Sequence, residues 1–259
     1  MNKKIFFFDI DGTLTSTKDP TKIPNSTKLA IKKLQENGHF VALATGRAKF
    51  RAQIFQKEIG INNMVCEGGN CIIINNQEQS YEPLNQDLAK SIYYEAIEKK
   101  IGIAVSVSDD RFRYSPNNLF IEQAGDFHSF MDVEVNENFQ IEQYPLIRRL
   151  FVSIKRNEED QLKSIKKIGI MHYGNDQFII VEPDDKFKGI RKVCEYLHKD
   201  IKDVIVFGDG LNDRKMFQDA PFSIAMGNAI PELKEIADYI TADSDDDGIY
   251  KACKHFGWI

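Results

Sequence analysis

The sequence predicts an α/β protein with a parallel sheet, into which a smaller α+β domain is inserted. Three short apolar runs, at residues 5–8, 41–44 and 204–207, do not alternate with polar residues, as is typical of strands buried on both faces. Helical patterns follow these runs, and the alternation of strand and helix indicates a parallel sheet. Two polar stretches, at residues 75–80 and 182–185, interrupt the alternation and bracket a segment of different character.

These two stretches predict the domain boundaries. We expect a core domain formed by residues 1–81 and 184–259, and an inserted domain formed by residues 82–183. In the core, Ser26 can cap a helix that Gly38 would end, and further helical patterns lie at residues 54–59, 189–197 and 230–237. In the insert, the pattern predicts helices at residues 87–100 and 158–168 and strands at residues 103–107, 150–154 and 178–181.

Composition and charge exclude several classes of protein. The 259 residues are 42% hydrophobic and 28% charged, which is ordinary for a globular chain. The net charge of −5 argues against a broad nucleic-acid partner, which needs a basic face. The longest apolar run, residues 40–44, is far below the roughly 18 residues of a membrane span. The four cysteines form no CxxC pair, so we expect reduced thiols and a cytoplasmic protein with no membrane partner.

Residues capable of chemistry follow each of the three strand runs. Asp9 follows the first run, Thr45 the second, and Gly208-Asp209 the third. Because parallel strands end on one edge of a sheet, these side chains should converge in the crevice where open α/β sheets bind ligands.

Two acidic segments within this set indicate a cation site. The spacing of Asp9 and Asp11 places both carboxylates on one side of an extended chain. Such a pair suits a Mg²⁺ site or a nucleophile with a partner acid, although an Asx-rich turn would have the same pattern. The segment GDGLND at residues 208–213 nearly matches a dinucleotide fingerprint, but Asp213 replaces the third glycine. Its oxygen-bearing side chains fit a hard cation better.

Two further segments suit a phosphoryl group. Thr45-Gly46-Arg47 offers a hydroxyl, an unhindered amide and a cation, and Lys188 stands before Gly189 at the predicted start of a helix. The acidic tract at residues 243–248 imitates part of a calcium-binding EF-hand loop, but Lys254 stands where the bidentate acidic ligand should be.

Together these motifs resemble those of the haloacid dehalogenase superfamily of phosphohydrolases, specifically its Cof-type branch of sugar-phosphatase-like proteins. FFFDIDGTL at residues 6–14 is similar to the first motif, ALATGR at 42–47 to the second, KG at 188–189 to the third and GDGLND at 208–213 to the fourth. AMGNA at residues 225–229 and DG at 247–248 also resemble that branch. Lys186 could take the place of Lys188, which we prefer because a glycine follows it and a helix is predicted to begin there.

The resemblance implies a Rossmann-like core with a cap domain inserted between the second and third motifs. It implies that Asp9 is the nucleophile that forms an aspartyl-phosphate, and that Asp11 protonates the leaving oxygen and then activates water. Mg²⁺ would be bound by the Asp9 carboxylate, the Asp11 backbone carbonyl and Asp209, with Asp213 close by or acting through water.

By the same resemblance, Thr45, Gly46 and Lys188 would bind the transferring phosphoryl oxygens. Asn212 would orient the lysine or a phosphate oxygen.

The sequence therefore predicts a Mg²⁺-dependent phosphatase that acts on a small phosphorylated metabolite, with sugar phosphates as the favoured class. Two alternatives stay open at this point. A hexose-phosphate mutase on the same core would pass the phosphoryl group to a second sugar hydroxyl, and a non-catalytic module would bind phosphate or metal without turning it over.

Overall fold

The structure, a computed structural model, describes residues 3–127, 131–168, 170–173 and 176–259. The chain divides into two compact units. The core unit comprises Met1–Tyr81 and Asp184–Ile259, and the insert unit comprises Glu82–Pro183.

Strands occur in both units. They are β1 (Ile5–Phe8), β2 (Phe40–Ala44), β3 (Met64–Cys66), β4 (Cys71–Ile74), β5 (Gln77–Tyr81), β6 (Ile103–Ser106), β7 (Phe112–Ser115), β8 (Asp132–Val135), β9 (Arg149–Val152), β10 (Ile170–Tyr173), β11 (Phe178–Val181), β12 (Val204–Gly208), β13 (Ser223–Ala225) and β14 (Tyr239–Ile240). The helices are α1 (Asn25–Glu36), α2 (Lys49–Ile59), α3 (Gln86–Glu98), α4 (Leu119–Gln123), α5 (Lys186–Tyr196), α6 (Arg214–Asp219), α7 (Pro231–Ile236) and α8 (Gly248–His255).

The core sheet is a mostly parallel sheet with strand order β14-β13-β12-β1-β2-β3-β4-β5. β1 is central and pairs in parallel with β12 and β2, so that Phe8 lies opposite both Phe207 and Leu43. Among these strands only β4 runs in the opposite direction, and it pairs antiparallel with both β3 and β5. The predicted parallel α/β core is confirmed, and the three predicted strands are its three central ones.

Burial on both faces explains why the central strands are apolar throughout. Phe6 and Phe8 pack with α1, α2 and α8 on one face of the sheet, whereas Ile5 and Phe7 pack with α5, α6 and α7 on the other. All four residues of β1 are buried. A strand with apolar cover on both sides cannot alternate, so the first polar side chain stands where the strand ends.

The polar stretch at residues 75–80 forms the turn and most of the second strand of a hairpin. Asn75 and Asn76 take φ of 52° and 61°, as a two-residue β-turn requires, and β5 follows at once. Ser26 does not cap α1, which begins one residue earlier at Asn25 with Pro24 before it.

The insert unit has a six-stranded sheet in the order β10-β11-β9-β6-β7-β8. α3 packs against one face of it and α4 against the other. The predicted helix at 158–168 is wrong, because this segment forms two 3₁₀ turns, Glu159–Gln161 and Ser164–Lys167. Where the second turn begins, the Glu95 carboxylate of α3 accepts hydrogen bonds from the amides of Lys163 and Ser164. Because these amides have a side-chain partner, they do not require the carbonyl partners that a continuous helix would provide.

Candidate active site

An acidic cluster lies where the central strands of the core sheet end. It comprises Asp9, Asp209 and Asp213, which each offer a carboxylate oxygen within 4.8 Å of the others. Asp9 follows β1, Asp209 follows the neighbouring strand β12, and Asp213 lies one turn further on. Adjacent parallel strands therefore bring together residues that are 200 positions apart in sequence.

A buried lysine neutralises part of this cluster. Lys186 Nζ donates to Asp9 Oδ1 at 2.7 Å and to Asp213 Oδ1 at 2.6 Å, and the lysine side chain is only 1% exposed. Asp9 Oδ2 has no hydrogen-bond partner among the described residues, so one oxygen of this buried carboxylate is left for chemistry.

The structure corrects the assignment of the lysine. Lys188 is exposed, whereas Lys186 is buried and contacts Asp9 and Asp213. The reason is the true start of α5, where the Asp185 side chain accepts a hydrogen bond from the Lys188 amide and makes Lys186 the first helical residue. Gly189 follows Lys188 for a packing reason, since a Cβ atom there would clash with Val65.

Asp213 organises the loop that holds Asp209. Its Oδ2 accepts hydrogen bonds from the amides of Asp209 at 3.0 Å and Gly210 at 3.1 Å, while Oδ1 receives Lys186. A Cβ atom on Gly208 would lie 2.6 Å from Asp213 Oδ2, so glycine is required at the end of β12. The position that a dinucleotide fingerprint fills with glycine thus holds a fully buried carboxylate.

Asp209 is fixed by the loop that follows β1 (Ile10–Leu14), which we call the nucleophile loop because Asp9, the proposed nucleophile, precedes it. Thr13 Oγ1 donates to Asp209 Oδ1 at 2.7 Å. Gly12, which takes φ of 75°, must lack a side chain because a Cβ atom would clash with Asp209 Oδ2. The Asp-x-Asp-Gly-Thr segment therefore builds the site with its glycine and threonine as well as with its acids.

Burial and charge shift the pKa values of the site strongly. Burial raises the pKa of Asp9 well above its ordinary value, Lys186 opposes this shift, and the surrounding carboxylates add to it. Burial also raises the pKa of Asp209, to about 7, against the hydrogen bond from Thr13. Burial lowers the pKa of Lys186, but the charges of Asp213 and Asp9 outweigh it and the net shift is upward.

Asp11 lies outside the acidic cluster. Its side chain is 54% exposed and forms a two-pronged pair with Arg47, with Nε to Oδ2 at 2.8 Å and Nη2 to Oδ1 at 2.5 Å. The Arg47 guanidinium in turn stacks on the ring of Phe55, 4.7 Å from its centre. The Asp11 carboxylate is thus oriented by the second motif and is not among the clustered carboxylates.

The remaining predicted phosphate ligands lie on the same edge. Thr45 is buried, follows β2 and accepts the Arg47 amide on its Oγ1 at 3.1 Å. Gly46 is half-buried beside it, and Asn212 is half-buried in the Leu211–Asp213 turn that leads to α6.

Three residues that contact the site were not assigned by the sequence reasoning. They are Thr13, Asn228 and, in the place given to Lys188, Lys186. Asn228 Nδ2 donates to the Gly12 carbonyl at 2.8 Å. Thr13 and Asn228 belong to quoted motifs, but nothing in a single sequence shows which groups their side chains meet.

The acidic cluster fits a divalent cation. Its donors are all carboxylate oxygens, which Mg²⁺ prefers. Three carboxylates and one ammonium leave a net charge of −2 when all are ionised, and one divalent cation would balance it. The glycine at position 12 keeps a side chain out of the space beside Asp209.

No helix in the described parts of the chain is both long and apolar enough to cross a membrane.

Known proteins resemble this chain along its whole length. YkrA of Bacillus subtilis (strain 168), named provisionally as a phosphatase, is 31% identical over 100% of both chains. A hypothetical protein from Geobacillus kaustophilus HTA426 has a solved structure with a TM-score of 0.85 and 29% identity, covering 100% of both chains. The structure of a subclass IIB sugar phosphatase of the haloacid dehalogenase superfamily gives a TM-score of 0.78 and 27% identity, covering 99% of this chain and 100% of that one.

The sequence profile of the haloacid dehalogenase-like hydrolases matches residues 6–253, a range that includes every residue of the acidic cluster and all the motifs quoted for the resemblance. The chain therefore belongs to the haloacid dehalogenase-like hydrolase family, and it is an enzyme of the phosphatase type.

Proposed function

We propose that this protein is a Mg²⁺-dependent phosphatase that releases phosphate from small sugar phosphates through a phosphoenzyme formed on Asp9. The observation that carries the proposal is the Asp9 carboxylate. It is buried, it is held by Lys186 on one oxygen, and it lies among further acids that suit a cation. The likeness to a sugar phosphatase supports the substrate class.

Asp9, Asp209 and Asp213 are the side chains that would hold the cation. When bound, Mg²⁺ supplies positive charge that screens the carboxylates from the anionic phosphoryl group. Asp11 would contribute its backbone carbonyl, which leaves its carboxylate for proton transfer.

In the first half of the reaction, an oxygen of Asp9 attacks phosphorus and the ester P–O bond breaks. Asp11 donates a proton to the departing sugar oxygen. In the second half, water attacks the phosphorus of the aspartyl-phosphate and gives a proton to Asp11. Inorganic phosphate leaves, and the Asp9 carboxylate is restored.

Groups around Asp9 would stabilise the charge that builds up on the phosphoryl oxygens. The Lys186 ammonium and the Thr45 hydroxyl are side-chain donors at the same sheet edge, and the Gly46 amide and Asn212 complete the proposed set. Preorganised donors of this kind act strongly where water is excluded.

The test measures phosphate release from para-nitrophenyl phosphate and a panel of sugar phosphates, with Mg²⁺ and with EDTA. We expect metal-dependent release that Asp9→Asn abolishes. Isomerised sugar phosphate with little free phosphate would instead identify a mutase. Undiminished turnover by Asp9→Asn would overturn the mechanism.

We further propose a cytoplasmic location. The four cysteines are buried free thiols, as expected in a reducing compartment. Fractionation of cells that express the tagged full chain tests this, and recovery with a secreted or membrane fraction would contradict it.

A further inference from the structure

Asn228 joins the nucleophile loop to the acidic tract near the end of the chain. Its Nδ2 donates to the Gly12 carbonyl at 2.8 Å, and its Oδ1 accepts the Ser244 amide at 2.9 Å. A backbone carbonyl only accepts and a backbone amide only donates, so these two partners fix the orientation of the side-chain amide. The NH₂ group must point toward Gly12.

The same NH₂ group faces Asp209. Asn228 Nδ2 lies 3.5 Å from Asp209 Oδ2, and Thr13 Oγ1 lies 2.7 Å from Asp209 Oδ1. Each oxygen of this carboxylate therefore has a donor beside it, a strong one at Thr13 and a longer one at Asn228. Because Asn228 also holds the carbonyl of Gly12, it sets the spacing between the nucleophile loop and Asp209.

The acidic tract holds Asn228 in place. A Cβ atom on Gly227 would lie 2.6 Å from the amide nitrogen of Asp243, so the chain before Asn228 packs directly against the tract. Thr17 Oγ1 donates to Asp245 Oδ2 at 2.7 Å, which ties the tract to the chain just after the nucleophile loop. The tract that imitates a calcium loop thus has a structural use: it presents the Ser244 amide to Asn228.

We propose that Asn228, held by the Ser244 amide, is a positioning residue that orients Asp209 for the divalent cation. This inference rests on the proposed function, since it needs Asp209 to be a cation ligand. Residues that orient metal ligands through hydrogen bonds change metal affinity by about 10- to 100-fold when removed.

Asn63 supplies a matched control. Its Nδ2 donates to the Val41 carbonyl at 3.1 Å, and its Oδ1 accepts the Asn75 amide at 3.0 Å. Like Asn228, it has one backbone carbonyl and one backbone amide as partners and is half-buried. It directly precedes β3, at the end of the sheet opposite to the acidic cluster. Removing it breaks an equivalent pair of hydrogen bonds away from the acidic cluster.

The experiment titrates the full-length chain with MgCl₂ and follows the thermal midpoint, which rises as a ligand binds the folded state. We compare the wild-type protein with Asn228→Ala and Asn63→Ala. We expect both variants to melt earlier without metal. Only Asn228→Ala should need more Mg²⁺, by about 10-fold or more, to reach the same rise in thermal midpoint above its own metal-free value, and the half-saturating Mg²⁺ for turnover should move in parallel.

If Asn228→Ala needs no more Mg²⁺ than the wild-type protein for the same rise in thermal midpoint, or if Asn63→Ala needs equally more, the inference is overturned and the phosphatase proposal still stands. If Asn228→Ala does not fold, Asn228→Ser, which is too short to reach the Gly12 carbonyl as the amide does, replaces it under the same criteria. If the wild-type protein does not respond to Mg²⁺, both the metal dependence and this inference are overturned. The Asp9→Asn assay then shows separately whether Asp9 is the nucleophile.

Discussion

Replacing Lys186 by methionine removes the cation that holds two buried carboxylates. The lysine side chain is 1% exposed, and its ammonium lies 2.7 Å from Asp9 Oδ1 and 2.6 Å from Asp213 Oδ1. Breaking a buried ion pair from one side leaves an uncompensated buried charge, which costs about 3–5 kcal/mol. Methionine fills a similar volume, so we attribute the expected loss to charge and not to a cavity.

Urea denaturation in EDTA at neutral pH measures this loss in the free energy of unfolding. Lys188→Met is the matched control, because Lys188 is two residues further along α5 and exposed. We expect it to change the free energy of unfolding by less than about 1 kcal/mol, as is usual for an exposed charge. The deficit of Lys186→Met should shrink at lower pH, because protons then neutralise the carboxylate of Asp9, whose pKa burial holds well above its ordinary value.

Turnover gives an independent readout of the same pair of variants. Lys186→Met should lose phosphate release, whereas Lys188→Met should keep it within a few-fold. Equal losses of stability or turnover in the two variants would refute the assignment of Lys186. So would a cost of less than about 1 kcal/mol for Lys186→Met.

Three further outcomes are expected. Gly12→Ala should abolish turnover and the Mg²⁺-dependent rise in melting temperature, because a Cβ atom clashes with Asp209 and φ is 75°; normal turnover in this variant would contradict the geometry. Burial raises the pKa of Glu95, but hydrogen bonds from the amides of Lys163 and Ser164 bring it down to about 2. The ionised carboxylate therefore stabilises the folded insert unit above its ordinary pKa of 4.5, and this stability is lost as the pH falls from there toward 2; Glu95→Gln should flatten acid unfolding in that window, as circular dichroism would show. EDTA should stop phosphate release and excess Mg²⁺ should restore it, whereas activity that persists through dialysis against EDTA would exclude a metal requirement.

The sequence predicts the sheet and its functional edge well because both depend on short-range patterns. A strand covered on both faces must be apolar, so the run at residues 5–8 identifies β1 and the next residue, Asp9, falls at the sheet edge. Parallel pairing then places Asp209 beside it, since β12 ends in register with β1. These inferences need no side-chain coordinates.

Side-chain direction is where sequence reasoning fails. Lys186 and Lys188 both lie near the start of α5, and the choice between them depends on which residue caps the helix. Asp185 caps it through the Lys188 amide, which turns Lys186 toward the acids and leaves Lys188 exposed. Two residues that are two positions apart in a helix lie on nearly opposite faces. Helix ends are uncertain by one or two residues, so an error of that size in the start of α5 is enough to assign the wrong lysine.

The contacts of Asn228 could not be predicted for a different reason. Its partners Gly12 and Ser244 lie 216 and 16 positions away in sequence, and both present backbone groups, which leave no trace in residue identity. The quoted AMGNA motif marks the segment, but it does not say which atoms the asparagine meets. Only the packed chain shows that the acidic tract supports the nucleophile loop.

The charge of the cluster connects these observations to function. A buried ion-pair network that served stability alone would be close to neutral, because each uncompensated buried charge is costly. Here Asp9, Asp209 and Asp213 outnumber the single ammonium of Lys186, and burial raises the pKa of Asp9 well above its ordinary value and that of Asp209 to about 7. Such an excess of negative charge is unfavourable for the folded chain by itself and becomes favourable when a cation is bound. The excess of acids in the cluster therefore supports the proposal that a cation binds there, since a cluster that only stabilised the fold would not need it.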